Sequence, residues 1–439
     1  MIEFNLEYAV TRFSELLIYE TVDGNMAECE RFIKALEALY PNIHINCEFE
    51  RVAVTQTNPG GLMYRFKGKD SSKSILLMSH FDVVPAARDE QWEAHPFSGD
   101  FSDDHIVGRG ALDTKCTLCA IMESVETLLE QNYVPDFDIY MCFGGDEETA
   151  STAAVAMSAL LKERGVSPFL IVDEGGAIVD ASIVGSSSLV ALVGIAEKGY
   201  MDIELIARGH GGHTSMPTKS NPLSVMAKAI SRLDKPFKPV ISEPVRLMGQ
   251  AIIDNVGFKA RLILGNVLLR KLFMPYVAKR VPEIGALTQT TGAITMISGG
   301  SAHNVIPEEI RAVGNFRIIN GTTVEETLDI IRRKLRGLSV QVNLLESLEP
   351  SPMSRVDGEG WERLGAAIGS TWEDSITIPY LMFARSDSRF YSDISDSVYR
   401  FSPMIMSVKE RKAIHGVNES ITTVAFRKMI EFYLALITN

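Results

Sequence analysis

The residues of this chain that could do chemistry are histidines and carboxylates, and most of them follow short apolar runs. Ser74–Ser79 (SILLMS) leads into His80-Phe81-Asp82. Residues two apart on an extended chain point the same way, so Asp82 can accept one ring N–H of His80 and leave the other nitrogen for a metal. Phe137–Phe143 (FDIYMCF) leads into Gly144-Gly145-Asp146-Glu147-Glu148, and Phe169–Val172 into Asp173-Glu174-Gly175-Gly176. Asp113, in GRGALDTK, stands where a long helical pattern opens and reads either as a helix cap or as a ligand. His415-Gly416-Val417-Asn418-Glu419 precedes the last helical stretch. Carboxylates packed behind apolar strands are costly unless water or cations neutralise them. Histidines and carboxylates converging at one sheet edge suit a binuclear site for a borderline divalent metal, with one carboxylate bridging two ions.

The elements that must position these groups follow from periodicity. Leu6–Tyr19, Met26–Tyr40, Ala111–Glu130 and Thr152–Arg164 carry apolar residues at helical spacing, and the three apolar runs read as buried strands. Alternating strand and helix predicts an α/β fold with a mainly parallel sheet, whose carboxyl edge is where such sheets place ligands. The pattern then changes. Strand-like Gly199–Ala207 and Gly292–Ile297, with helix-like Pro222–Leu233 and Val324–Leu335, predict a smaller α+β domain over residues 196–348. It interrupts a main domain of residues 1–195 and 349–439, which ends on a helix at Ile421–Ile437. The stretch 236–290 is long for a connection and includes the basic, apolar Arg261–Arg280, broken by Pro275. It reads as a packed helical excursion or as a surface that touches a membrane or an acyl chain.

Composition narrows the class. The chain has 439 residues, with 43 Lys and Arg against 56 Asp and Glu, a net charge of −13 that argues against a nucleic-acid binder. No apolar run is long enough for a membrane span, and no signal peptide is read at the start. The 5 Cys show no disulfide framework, so a reducing cytoplasm is expected. Cys116 and Cys119 lie among apolar helical neighbours with no second CxxC and read as small buried residues.

The motifs together resemble the M20 metallopeptidase family, the group of aminoacylases, carboxypeptidases and desuccinylases. The matching blocks are SHFDVVP (79–85), GRGALDTK (108–115), GGDEE (144–148), DEGG (173–176), GHGGHTSMP (209–217), HNVIPEE (303–309), SDSRF (386–390) and HGVNE (415–419). They run in family order, and DEGG and the C-terminal block look most like the carboxypeptidase S-like branch, which includes enzymes acting on N-acyl amino acids. The resemblance implies a di-zinc catalytic domain with an inserted lid domain that commonly dimerises. It implies that His80 and Asp173 hold one zinc and Glu148 and His415 the other, with Asp113 bridging, cobalt or manganese being alternatives. Asp82 would orient His80, and Glu147 would take a proton from the metal-bridging water. His213 would contact the oxyanion, and Asn304, Arg317 and Arg389 would bind substrate. The implied reaction is hydrolysis of an amide or peptide bond next to a free carboxylate, in a dipeptide, a peptide C-terminus or an N-acyl amino acid. The chain departs from the family at Phe383-Ala384-Arg385, where glycines are usual, and at Thr149-Ala150-Ser151, where a Gly is usual.

Two rivals stand outside this reading. A catalytically inactive relative serving as a binding or scaffold protein should have lost part of the set His80, Asp113, Glu147, Glu148, Asp173 and His415, and the set is intact. A nucleotide-binding oxidoreductase would carry GxGxxG after the first strand, and none stands there.

Overall fold

The computed structural model describes residues 2–86, 92–102, 104–180, 189–217, 221–234, 236–253, 276, 280 and 282–439. It divides into two units. One comprises Met1–Ile195, Met353–Pro379 and Ser386–Asn439; the other comprises Ala196–Pro352 with Tyr380–Arg385.

In chain order the first strands are β1 (Glu48–Val52), β2 (Gly61–Phe66), β3 (Asp70–His80), β4 (His105–Val107), β5 (Phe137–Gly144), β6 (Leu170–Asp180) and β7 (Leu189–Glu197). Next come β8 (Gly199–Arg208), β9 (Gly212–His213), β10 (Thr291–Gly299), β11 (Val305–Ile306), β12 (Glu309–Ile318) and β13 (Val340–Leu348). The last are β14 (Ile376–Met382), β15 (Val398–Ile405) and β16 (Ser420–Thr422).

The large sheet runs β1-β2-β5-β3-β6-β15-β7-β14. Its central pairs β5–β3, β3–β6 and β6–β15 are parallel, while β1–β2, β2–β5, β6–β7 and β15–β7 are antiparallel. β3 is buried from Ser74 to His80 without alternation, because both faces of a parallel sheet are covered. Leu76 and Met78 pack with Ala154, Met157 and Leu161 of the helix Thr152–Glu163. From the opposite face of β3, the Ser79 hydroxyl donates to the Thr114 carbonyl at 3.0 Å, just ahead of the helix Lys115–Glu130. The mainly parallel α/β architecture is therefore the one expected.

The second unit is an antiparallel sheet, β10-β12-β8-β13. Met201, Ile203 and Leu205 alternate along β8 into a core shared with the helices Pro222–Leu233 and Val324–Leu335. Asp202 and Glu204 face the other way, where they meet Asn315 and Arg311. The second helix opens with a capping box between Thr323 and Glu326.

Three local expectations change. The helix expected from Ala111 begins at Lys115, so Asp113 lies in the turn before it and is not the cap. The strand expected to end at Val172 continues to Asp180. The segment Tyr380–Arg385 goes with the second unit. Of the 236–290 stretch, Glu243–Ile253 and Pro282–Thr288 are helical, while Arg261–Arg280 lies outside the described residues except at Tyr276 and Arg280. Among the described residues no helix is long and apolar enough to cross a membrane. All five cysteines are free and buried.

Candidate metal centre

His80 ends β3 and is 2% exposed. Phe81 turns into the core and stacks on Phe32, with ring centroids 5.4 Å apart. His80 Nδ1 lies 2.9 Å from the backbone carbonyl oxygen of Asp82 and 3.4 Å from Asp82 Oδ1. An N–H facing that carbonyl fixes the tautomer and leaves Nε2 as the ligand nitrogen. The Asp82 carboxylate holds the next motif as well. Its Oδ1 accepts the Glu147 N–H at 3.2 Å and its Oδ2 the Glu148 N–H at 3.0 Å.

Asp113 stands between the two histidines. Its Oδ1 is 3.1 Å from His80 Nε2, and its Oδ2 is 3.0 Å from His415 Nε2. Glu148 Oε1 is 3.1 Å from the same His415 nitrogen. On the other side, Glu174 Oε1 is 3.5 Å and Glu147 Oε2 4.0 Å from His80 Nε2. The ligand atoms of His80, Asp113 and Glu148 lie within 4.8 Å of one another, as do those of His80, Glu147 and Glu174.

Asp173, expected as a ligand, turns elsewhere. Its Oδ2 accepts the Ser388 N–H at 2.8 Å and its Oδ1 the Glu174 N–H at 2.9 Å. The cause is a shift in register. Arg400 of β15 pairs with Asp173, but Phe401 pairs with Gly176, so Glu174 and Gly175 bulge out of the ladder. Gly175 takes φ 141°, and its N–H donates to Ser402 Oγ at 3.1 Å. The bulge aims Glu174 at His80, whereas the family resemblance names Asp173. The Gly pair after Glu174 was the available signal.

Asp146 takes no part in the cluster. It is 1% exposed and accepts the N–H groups of Thr152 at 2.8 Å and Ala153 at 3.0 Å at the start of a helix. Ser151, in the Thr149-Ala150-Ser151 departure, holds φ 55°, the left-handed region a glycine would adopt freely.

The charges show how crowded the site is. Burial opposes ionisation of Asp113, but hydrogen bonds from His415 and His80 outweigh it and hold its carboxyl below the ordinary range. Burial disfavours a charged His80, yet Glu174, Asp113 and Asp82 raise its pKa well above the usual value. Hydrogen bonds to Asp113 and Glu148 push His415 up to about 10. Burial pushes Glu174 up to about 7 and Glu147 well above the carboxylate range. Protons therefore balance these donors by themselves. Divalent cations would replace those protons, because metal ligation takes neutral imidazole and ionised carboxylate. The donor types suit zinc, and donor atoms about 3.3 Å apart match two ligands each ~2 Å from a tetrahedral ion.

The remaining expected residues fall in both units. In the second, His213 pairs with Val305 across the β9–β11 ribbon, and the Thr214 N–H donates to the Asn304 carbonyl at 3.2 Å, so His213 and Asn304 stand together. His213 Nδ1 accepts the Ser215 N–H at 3.2 Å, which leaves the ring proton on Nε2. Arg317 is exposed, with its guanidinium 5.7 Å from the centroid of the Tyr200 ring. Beside it Lys198, 3% exposed, donates to the carbonyls of Gln289 at 2.8 Å and Ala286 at 3.1 Å. Burial, with Arg317 nearby, pushes this lysine down to about 8. Arg385, noted from sequence only as a departure, reaches the Tyr200 hydroxyl. Arg389 belongs to the first unit, 8% exposed in the 3-10 turn Asp387–Tyr391.

A mainly parallel α/β sheet carrying His80, Asp113, Glu147, Glu148 and His415 at its carboxyl edge defines the class. The chain belongs to peptidase family M20/M25/M40, whose family model matches residues 76–439. It is similar to the human "N-fatty-acyl-amino acid synthase/hydrolase PM20D1", 34% identical over 427 residues, which cover 96% of this chain and 84% of that one. It is also similar to "Probable carboxypeptidase S-like 2" of Dictyostelium discoideum, 32% identical over 98% of this chain and 83% of that one. Among solved structures, the M20 family metallo-carboxypeptidase Sso-CP2 of Sulfolobus solfataricus shares the fold at a TM-score of 0.71, with 16% identity over 98% of each chain. Human carnosine dipeptidase 1 shares it at 0.65, with 15% identity over 98% of this chain and 95% of that one.

Proposed function

We propose that this protein is a two-metal hydrolase that cleaves an amide or peptide bond next to a free carboxylate. The observation that carries this reading is Asp113, which offers one carboxylate oxygen to each of two histidines 3.1 and 3.0 Å away. His80 and Glu174 would hold one ion, His415 and Glu148 the other, and Asp113 both. Bound zinc would supply a water of lowered pKa and polarise the scissile carbonyl.

The chain's own residues do the rest. Glu147, buried and held in place through its backbone N–H by Asp82, takes the proton of the attacking water and passes it to the leaving amine. His213 donates from Nε2 to the oxyanion. Arg317 receives the substrate carboxylate. It is exposed, with its guanidinium 5.7 Å from the centroid of the Tyr200 ring, and its bidentate fork suits that role. Two substrate classes suit this chemistry, N-acyl amino acids and peptides cleaved at the C-terminus. The human and Dictyostelium relatives bear names of those two kinds.

The test is elemental analysis of protein purified without chelators, together with hydrolysis of a panel of dipeptides, C-terminally free peptides and N-acyl amino acids of short and long chain. Two metal equivalents and cleavage of one panel class are expected. Protein that takes up no metal even after zinc is added back would overturn the reading.

A further inference from the structure

Glu419 and Arg109 form a buried ion pair that the proposed chemistry does not use. They are 0% and 1% exposed, and Arg109 Nη1 donates to Glu419 Oε2 at 2.7 Å. The other carboxylate oxygen, Oε1, accepts the backbone N–H groups of Leu112 at 2.7 Å and Asp113 at 3.1 Å. Arg109 Nη2 reaches the carbonyl oxygen of His415 at 3.4 Å. The backbones are tied too. The Gly108 N–H donates to the Glu419 carbonyl at 3.0 Å, and β4 pairs with β16 from Ser420 and Val107 onward. One carboxylate and one guanidinium thus join the turn that presents Asp113 to the turn that presents His415.

His415 itself holds φ 59°, in the left-handed region. A non-glycine residue stays there only where its surroundings over-determine it, and the Arg109 donor on its carbonyl is one such restraint. Donors arranged as a fixed fork suit this task better than a flexible ammonium.

We propose that the Glu419–Arg109 pair is a positioning device that fixes the spacing of Asp113 and His415 and so holds the cation on the His415 side of the centre. The proposal rests on the two-metal reading above. Selectivity follows from where the ligands are anchored. On the His415 side, two of the three donors (His415 and Asp113) stand on the clamped turns, and Glu148 alone is held from elsewhere. On the His80 side, His80 and Glu174 are carried by β3 and β6, and only the shared Asp113 touches the clamp. Loosening the pair therefore disturbs one site more than the other.

The experiment is a zinc titration of the metal-stripped full chain against a chromophoric chelator. Wild type should show two classes of site, and His415→Ala identifies the class that depends on His415. The double variant Arg109→Met with Glu419→Gln removes both charges and leaves neither buried alone. It should weaken the His415-dependent class by about 10- to 100-fold, the range for partners that orient metal ligands, and leave the other class unchanged. Arg109→Lys keeps the charge pair and loses the fork, so it should weaken the same class by less. It also gives the reading if the double variant does not fold. Equal weakening of both classes, or no weakening of either, overturns the proposal. A wild-type protein without two classes overturns the two-metal reading itself, an outcome distinct from failure of the clamp.

Discussion

Glu174 Oε1 lies 3.5 Å from His80 Nε2, while its neighbour Asp173 gives its carboxylate to the backbone N–H groups of Ser388 and Glu174. The two acids are adjacent in sequence and make different contacts. Glu174→Gln should cost about one metal equivalent, because a neutral amide oxygen is a poor substitute for a carboxylate ligand. Asp173→Asn should retain both equivalents. Elemental analysis of the two variants decides the assignment, and the opposite pattern would return the ligand role to Asp173.

Glu147 Oε2 stands 4.0 Å from His80 Nε2, farther than Asp113 or Glu174, and its backbone is fixed by Asp82. A group placed to move a proton, rather than to ligate, can be neutralised without dismantling the site. Glu147→Gln should keep metal content and thermal midpoint and lower kcat by about 10²- to 10⁴-fold. Turnover near that of wild type would remove the base assignment.

His213 accepts from the Ser215 N–H at Nδ1, so its neutral ring offers an N–H at Nε2. Such a donor matters most once negative charge has developed on the substrate oxygen. His213→Ala should leave metal content unchanged and reduce kcat by about 10²- to 10³-fold, with a smaller effect on KM. An unchanged kcat would exclude the oxyanion role.

Much of this was legible from sequence because it depended on local pattern. The helices at Pro222–Leu233 and Val324–Leu335 have the bounds that periodicity predicts, since apolar spacing and capping residues are local. His80 and the Asp-Glu-Glu run stand just where apolar strands end. Other features required contacts across the chain. The bulge that turns Glu174 inward exists only because β15 pairs out of register with β6. Within the Asp-Glu-Glu run, the part played by Asp146 shows only with the helix whose first N–H groups it accepts. The same holds for Glu419, whose partners Arg109, Leu112 and Asp113 are more than 300 residues away in sequence.

Glu123 gives a prediction about stability that is independent of the metal centre. It is 3% exposed in the helix Lys115–Glu130, with Arg12 Nη1 3.1 Å from its carboxylate. Burial pushes its pKa from an ordinary 4.5 up to about 7, against the pull of Arg12. An acid whose folded pKa lies above its unfolded value binds more protons when folded, so stability falls as pH rises between those values. Over pH 4.5 to 7 the loss from this one group is at most about 3 kcal/mol, from ~1.4 kcal/mol per pKa unit. Below pH 4.5 the carboxyl is neutral in both states, and Glu123→Gln should unfold at nearly the same temperature as wild type. As pH rises to 7 the wild-type midpoint should drop relative to the variant. The thermal midpoints of both proteins, measured across this window, give the difference directly, and a difference that does not change with pH would show that Glu123 titrates normally in the folded chain.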